Sequence, residues 1–329
     1  MKIKDLNPSS EQFQSIINLF SQGHLQRALS ESNKMLVRFP NSEALYNIAG
    51  AANAGLMQFD AAINSYIQAI KINPNYAEAY NNMGAALQNK GDIEAAINSY
   101  NQALSIKPDY AEAYYNMGIS LKDKGNLEAA INSYNQAIKI NPNYAEAYNN
   151  LGLAQRTKGN LEAAINSYNQ AIKINPNYAE AYYNMGIVLQ GVVFDKPNAG
   201  LQEVISLIIE QKTVVRPLDI SKAAISLLKL DSAIKELFEK HFTGEVRQSL
   251  ERLISNLSEV PLLFKLMSIC PLLDLELEAI FTDIRSFLLS SVNEIDNSPE
   301  VLRFQSALAL QCFTNEYIYS QNDKEASEL

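Results

Sequence analysis

Tryptophan is absent from the 329 residues, and histidine and cysteine occur only twice each. Cys270 and Cys312 are too few and too isolated to make a disulfide framework. Both lie in apolar helical patterns, where a buried thiol behaves as a small hydrophobe, so a reducing, cytoplasmic setting is expected. His24 and His241 are far apart in sequence and lack the neighbouring cysteines or spaced carboxylates of a metal site. Each reads as a surface or packing histidine, and no metal is expected. No P-loop, G-x-S-x-G or H-E-x-x-H stretch is present. The sequence therefore nominates no catalytic residue and no cofactor, and the expectation is that the chain is not an enzyme. No apolar run reaches the roughly 20 residues of a membrane span, and the opening MKIKDLNPSSEQ has no signal-peptide core. Positive charge is also in deficit. The net charge is −9, which argues against nucleic acid and anionic membranes as partners. The deficit is uneven: −1 through Gln190 and −8 beyond it. Asn256-Leu257-Ser258 is a glycosylation sequon in letters only.

What the chain does have is repetition. The 34 residues Ala111–Tyr144, AEAYYNMGISLKDKGNLEAAINSYNQAIKINPNY, recur almost unchanged as Ala77–Tyr110 and Ala145–Tyr178. Within the unit, Tyr114, Met117, Gly118 and Leu121 fall on one helical face, and Leu127, Ala130, Ile131, Tyr134, Ala137 and Ile138 on a second. Gly118 and Ala130 are small enough for a close helix crossing, and Tyr134 is large enough to fill the next groove. Gly125 suits the left-handed end of the first helix, and Asn141-Pro142 stops the second. One such hairpin cannot bury its own apolar face, so neighbours must stack.

Tyr114, Met117, Gly118, Leu121, Ala130, Tyr134, Ala137 and Pro142 sit where the tetratricopeptide repeat (TPR) places its W-L-G-Y-A-F-A-P pattern. The resemblance implies an all-α fold, a right-handed superhelical solenoid. Glu43–Tyr76 is a further unit, with Tyr46, Gly50, Ala62, Tyr66, Ala69 and Pro74 in place. Ser9–Ser42 is a decayed first unit that keeps Gly23, Ala28 and Pro40 but has Gln12 at the aromatic position and Ile16 at the glycine. It reads as an N-terminal cap. Gln155 takes an apolar position in the fifth unit. Ala179–Gln190 restarts the motif, with Tyr182, Met185, Gly186 and Leu189, and then the pattern stops. The expected organisation is a repeat array over 1–190, a helical domain over 191–321 and a disordered tail over 322–329, with the first eight residues frayed. Helices are expected near 201–214, 218–229, 231–240, 244–257, 260–268, 273–292 and 299–320.

Function is sought in the groove. Asn82, Asn116, Asn150 and Asn184 stand at the sixth position of successive units, which in the TPR family faces the concave side. A similar asparagine row in the repeat domain of O-linked N-acetylglucosamine transferase holds an extended peptide by its backbone. A primary amide offers two donors and an acceptor, so it can pair with peptide N–H and C=O without reading side chains. The same asparagines also suit solvated fillers of a duplicated repeat. Glu78, Glu112, Glu146 and Glu180, at position two, would favour basic ligands, or serve as helix N-terminal acids that favour the macrodipole. Tyr115 and Tyr183 can stack on a ligand or cover apolar surface. Only Lys122 and Arg156 offer groove cations, which does not fit a carboxylate clamp.

The tail carries a second resemblance. Pro271–Leu289 and Phe304–Tyr319 are similar to the segment that precedes an S-adenosylmethionine-dependent methyltransferase domain in some bacterial TPR proteins. Residues 191–329 hold only three glycines (Gly191, Gly200 and Gly244) and no glycine-rich loop that would bind such a cofactor. The leading expectation is a non-catalytic scaffold that captures an extended peptide or protein segment. The alternative is the substrate-recruiting arm of a methyltransferase whose catalytic domain lies elsewhere. A self-assembling homo-oligomer is a third reading, since near-identical repeats can stack between chains.

Overall fold

The computed structural model describes residues 8–210, 215–243, 250–269, 274–290 and 298–315. Both chain ends, Cys270 and the first part of the methyltransferase-like segment fall outside them. Among the described residues there are eighteen α-helices and no strand. The chain forms two compact units, residues 1–163 and 164–329.

In the first unit, helices alternate in pairs. They are α1 (Ser10–Ser21) with α2 (Leu25–Arg38), α3 (Glu43–Gly55) with α4 (Phe59–Ile72), α5 (Ala77–Lys90) with α6 (Ile93–Ile106), and α7 (Ala111–Asp123) with α8 (Leu127–Ile140). Next comes α9 (Ala145–Thr157), and α10 (Leu161–Ile174) spans the division between units. The pairs α3–α4, α5–α6 and α7–α8 each close on a glycine–tyrosine fit. A Cβ placed on Gly50, Gly84 or Gly118 would lie 2.6 Å from the ring of Tyr66, Tyr100 or Tyr134 respectively. Those three tyrosines are at most 2% exposed. Only a residue with no side chain lets the second helix come this near. Burying each ring contributes on the order of 2–3 kcal/mol.

Turn chemistry sets the hairpins. Gly125 adopts φ +85°, and its N–H donates to the Lys122 carbonyl at 2.8 Å. Asn126 then caps α8 by accepting from the Ala129 N–H at 3.2 Å. In the second repeat Met57 occupies the equivalent place, at φ +61°. A side chain in that conformation costs roughly 1–2 kcal/mol that glycine avoids.

The first repeat departs from the pattern for visible reasons. Gln12 stands at the aromatic position because it completes a capping box: its N–H donates to Ser9 Oγ at 3.3 Å, and its Oε1 accepts from the Ser9 N–H at 3.2 Å. Ile16 replaces the glycine and is fully buried, while buried Ser32 stands where later repeats have tyrosine. The small and large partners have exchanged places, so volume is conserved.

First helices of successive repeats pack on one another, α3 on α5, α5 on α7 and α7 on α9. They therefore line the inner side of this unit's curve.

The second unit continues with α11 (Ala179–Leu189), α12 (Ala199–Glu210), α13 (Pro217–Leu228), α14 (Ser232–Thr243), α15 (Leu250–Ser258), α16 (Pro261–Ile269), α17 (Leu275–Ser290) and α18 (Pro299–Asn315). These helices lie within a few residues of their expected positions wherever both are described. Val215 sits 2.7 Å from where a Cβ on Gly186 would be, in the role that tyrosine has in the repeats. The chain thus ends the repeat motif by substituting a different segment for its missing second helix. Helix α16 packs on α12, α13 and α18, and Phe304 meets Phe264 and Phe281 edge-on. Glu278 and Arg285 form a buried pair at 3.0 Å, with Thr282 as a second acceptor for the guanidinium. Lys229 bridges Asp274 at 2.6 Å and Glu276 at 2.8 Å. The acidic run at the start of α17 is therefore a neutralised helix cap. Asp274 itself accepts from the Leu277 N–H at 3.1 Å.

Candidate functional site

The inner face of the first unit carries a run of hydrogen bonds between repeats. Asn82 donates its amide to Asn47 Oδ1 at 3.1 Å, Asn116 to Asn81 Oδ1 at 3.1 Å, and Asn150 to the Tyr115 hydroxyl at 3.0 Å. Each bond runs from position six of one repeat to position five of the repeat before. Asn81 in turn donates to Glu112 at 3.3 Å. Asn82, Asn116 and Asn150 are half-buried, whereas Asn81 is buried. One amide hydrogen of each half-buried asparagine is committed to its neighbour, and an amide has a second hydrogen and a carbonyl oxygen to offer. The ladder thus staples the array and holds each amide in a fixed orientation.

The carboxylates sit in the first turns of α5, α7 and α9, where the helix dipole favours them. Glu112 and Glu146 are exposed, and among the described residues neither forms an ion pair with a lysine or arginine. Glu78 lies 3.7 Å from Lys107, whose ammonium also sits over the Tyr110 ring at 4.7 Å. Tyr115 stacks obliquely on Tyr144, ring centres 4.8 Å apart, and stands 6.1 Å from Tyr134. Burial pushes the Tyr144 hydroxyl above its ordinary pKa, and Tyr115, Glu112 and Glu146 push in the same direction. Tyr110 is raised in the same way, by burial and then by Glu112 and Glu78.

The remaining residues expected at the site, Asn184, Glu180 and Tyr183, belong to α11 in the second unit. Asn184 is buried at 7% exposure, and Glu180 occupies the first turn. Tyr183 is 54% exposed and lines a cleft of about 230 Å³ with Ile187, Val215, Arg216 and Asp219. Arg216 and Asp219 pair at 3.0 Å beside it. Lys122 is paired with Asp123 at 3.5 Å. Among the described residues no cluster of His, Cys, Asp and Glu could hold a metal, and no helix is long and apolar enough to cross a membrane.

Sequence reasoning passed over Asn47 and the tyrosines Tyr76, Tyr110 and Tyr144. Asn47 and Asn81 stand beside the Tyr76 and Tyr110 hydroxyls respectively and partly offset the rise in pKa that burial causes. The signal was present: a tyrosine closes every unit from Tyr76 to Tyr178 at intervals of one repeat.

Residues 58–91, 87–123, 120–159 and 156–192 each match the family model described as TPR repeat. The hairpins of this region are tetratricopeptide repeats. Among solved structures, MamA is 26% identical over 50% of this chain and 95% of its own, with a TM-score of 0.45. YrrB, described as a TPR protein with an unusual peptide-binding site, is 22% identical over 53% of this chain and 90% of its own, with a TM-score of 0.44. PilF of Pseudomonas aeruginosa is 15% identical over 64% and 93%, with a TM-score of 0.53, a likeness of fold. Comparison with curated protein sequences returns no match.

Proposed function

We propose that the chain is a protein-binding scaffold whose inner face captures an extended peptide segment by its backbone. The observation that carries this reading is the set of three half-buried amides, Asn82, Asn116 and Asn150, each anchored to the preceding repeat. Anchoring matters because binding is weakened by the entropy of ordering side chains, and these amides are ordered beforehand. Successive amides are one repeat apart, so a segment in β or polyproline conformation runs along them and meets one at intervals of several residues. Backbone pairing makes such a groove broad in selectivity, and the surrounding carboxylates set the preferred charge. Asn184 continues the same row in sequence but belongs to the second unit. Self-association through the near-identical repeats is compatible with this use.

The test is a titration of the purified chain with a pool of extended peptides, beside the Asn116→Ala and Asn82→Ala/Asn116→Ala/Asn150→Ala variants. Losing one net hydrogen bond should weaken binding about 5- to 10-fold, and the triple variant should lose about 100-fold or more. Circular dichroism checks that the helices persist, since three staples go with the side chains. Undiminished affinity in the folded triple variant rules the ladder out.

A further inference from the structure

We propose that the inner face of the fourth repeat holds a seat for one basic side chain of the bound segment, built from Tyr144, Tyr115, Glu112 and Glu146. It deepens the peptide-binding reading and rests on it. In the third repeat Tyr110 stands between Glu78 and Glu112, and the protein fills that place itself. The Lys107 ammonium lies over the Tyr110 ring at 4.7 Å and 3.7 Å from Glu78. The fold thus shows what this combination of ring and carboxylates accepts: a cation.

One repeat later the walls recur and the filling does not. Tyr144 stands where Tyr110 stood, with Glu112 and Glu146 as its neighbouring carboxylates. The residue equivalent to Lys107 is Asn141, a neutral cap whose Oδ1 accepts from the Asn143 N–H at 3.2 Å. Neither carboxylate is ion-paired among the described residues. The fourth repeat also has a second aromatic wall, since Tyr115 replaces Asn81 and lies 4.8 Å from the Tyr144 ring. The second repeat is a poorer match. Its Tyr76 faces Asn47 where the fourth repeat has a second ring, and Glu78 beside it already serves Lys107. Two rings and two carboxylates favour a lysine or arginine through both cation–π and charge attraction. The seat lies beside Asn150, which donates to Tyr115, so backbone capture and side-chain reading fall on the same stretch of ligand.

The experiment compares two pools of extended peptides, alike except for one fixed central residue, lysine or its neutral counterpart norleucine. The native chain should bind the lysine pool about 5- to 10-fold tighter. Asn141→Lys, which supplies the cation from within as Lys107 does, should bring the two pools to within about 2-fold while norleucine-pool affinity holds, and Glu112→Gln should narrow the gap between the pools in the same way. Equal binding of both pools by the native chain, or a preference that survives in Asn141→Lys, overturns the seat and leaves the groove standing. If neither pool binds, the groove reading fails, and n-butylammonium decides the seat alone. A shift of the Tyr144 ring resonances in the native chain that is absent in Asn141→Lys upholds it, and no shift overturns it.

Discussion

Tyr100 and Tyr134 occupy the same place in neighbouring repeats and are both 0% exposed, yet they differ by one hydrogen bond. The Tyr100 hydroxyl donates to Gln88 Oε1 at 3.2 Å, an oxygen that also accepts from Ser120 at 2.9 Å. In the next repeat Lys122 stands where Gln88 did. It is a donor only, engaged with Asp123, and among the described residues the enclosed Tyr134 hydroxyl has no partner. Leaving a buried hydroxyl unpaired costs roughly 1–3 kcal/mol, whereas a satisfied one contributes about 1 kcal/mol. Tyr134→Phe should therefore leave stability unchanged or raise it by about 1 kcal/mol, while Tyr100→Phe lowers it by a similar amount. Urea midpoints measured in parallel check this, and equal losses in the two variants would contradict it. The sequence showed the lysine and suggested a groove cation. It could not show that the position also serves a tyrosine twelve residues on.

At the scale of the helix pair, the fit of glycine to ring decides stability. A methyl group on Gly118 would press on Tyr134 at 2.6 Å, and a fully buried ring has nowhere to retreat. Gly118→Ala should cost about 1–3 kcal/mol despite alanine's better helix propensity. Thermal melting reads the loss, and a melting temperature at or above the native one would refute the fit. Such pairing was legible in the letters, because periodicity reports which residues face inward. So were the positions of α12 to α18, from their apolar faces and from start signals such as Ser298 capping a helix that opens on Pro299. The links between repeats were not. The bonds from Asn82, Asn116 and Asn150 each join residues 35 apart, one more than the period. Aligning repeat on repeat sets asparagine over asparagine and hides the partner one place earlier. The Ile16 and Ser32 exchange was half legible, as an oddity at the glycine position whose compensation lies sixteen residues away.

Across the first unit as a whole, buried tyrosines act together on its response to alkali. Burial raises the pKa of Tyr66, Tyr100, Tyr110, Tyr134 and Tyr144 above the ordinary 10.0. The fold thus keeps protons that the unfolded chain gives up. The stability tied to them is fully present below pH 10 and falls as pH climbs from there toward the raised values. Each such tyrosine contributes a slope of about 1.4 kcal/mol per pH unit. Urea midpoints taken across this range should be flat below about pH 9 and drop steeply above about pH 10, with tyrosinate absorbance rising in the same transition as helix loss. A midpoint indifferent to pH over that interval would contradict the burial.

The bonds from position six to position five have a mechanical consequence. Each spans a joint between repeats, so opening the angle at that joint lengthens the bond. A segment bound along several of these amides, as proposed, would resist the same opening. If the inner face holds a segment as proposed, the first unit would act as a spring whose stiffness depends on its cargo. Coupling of this kind is reciprocal: a bound segment stiffens the coil, and tension that uncoils it lowers the affinity for the segment by the same free energy.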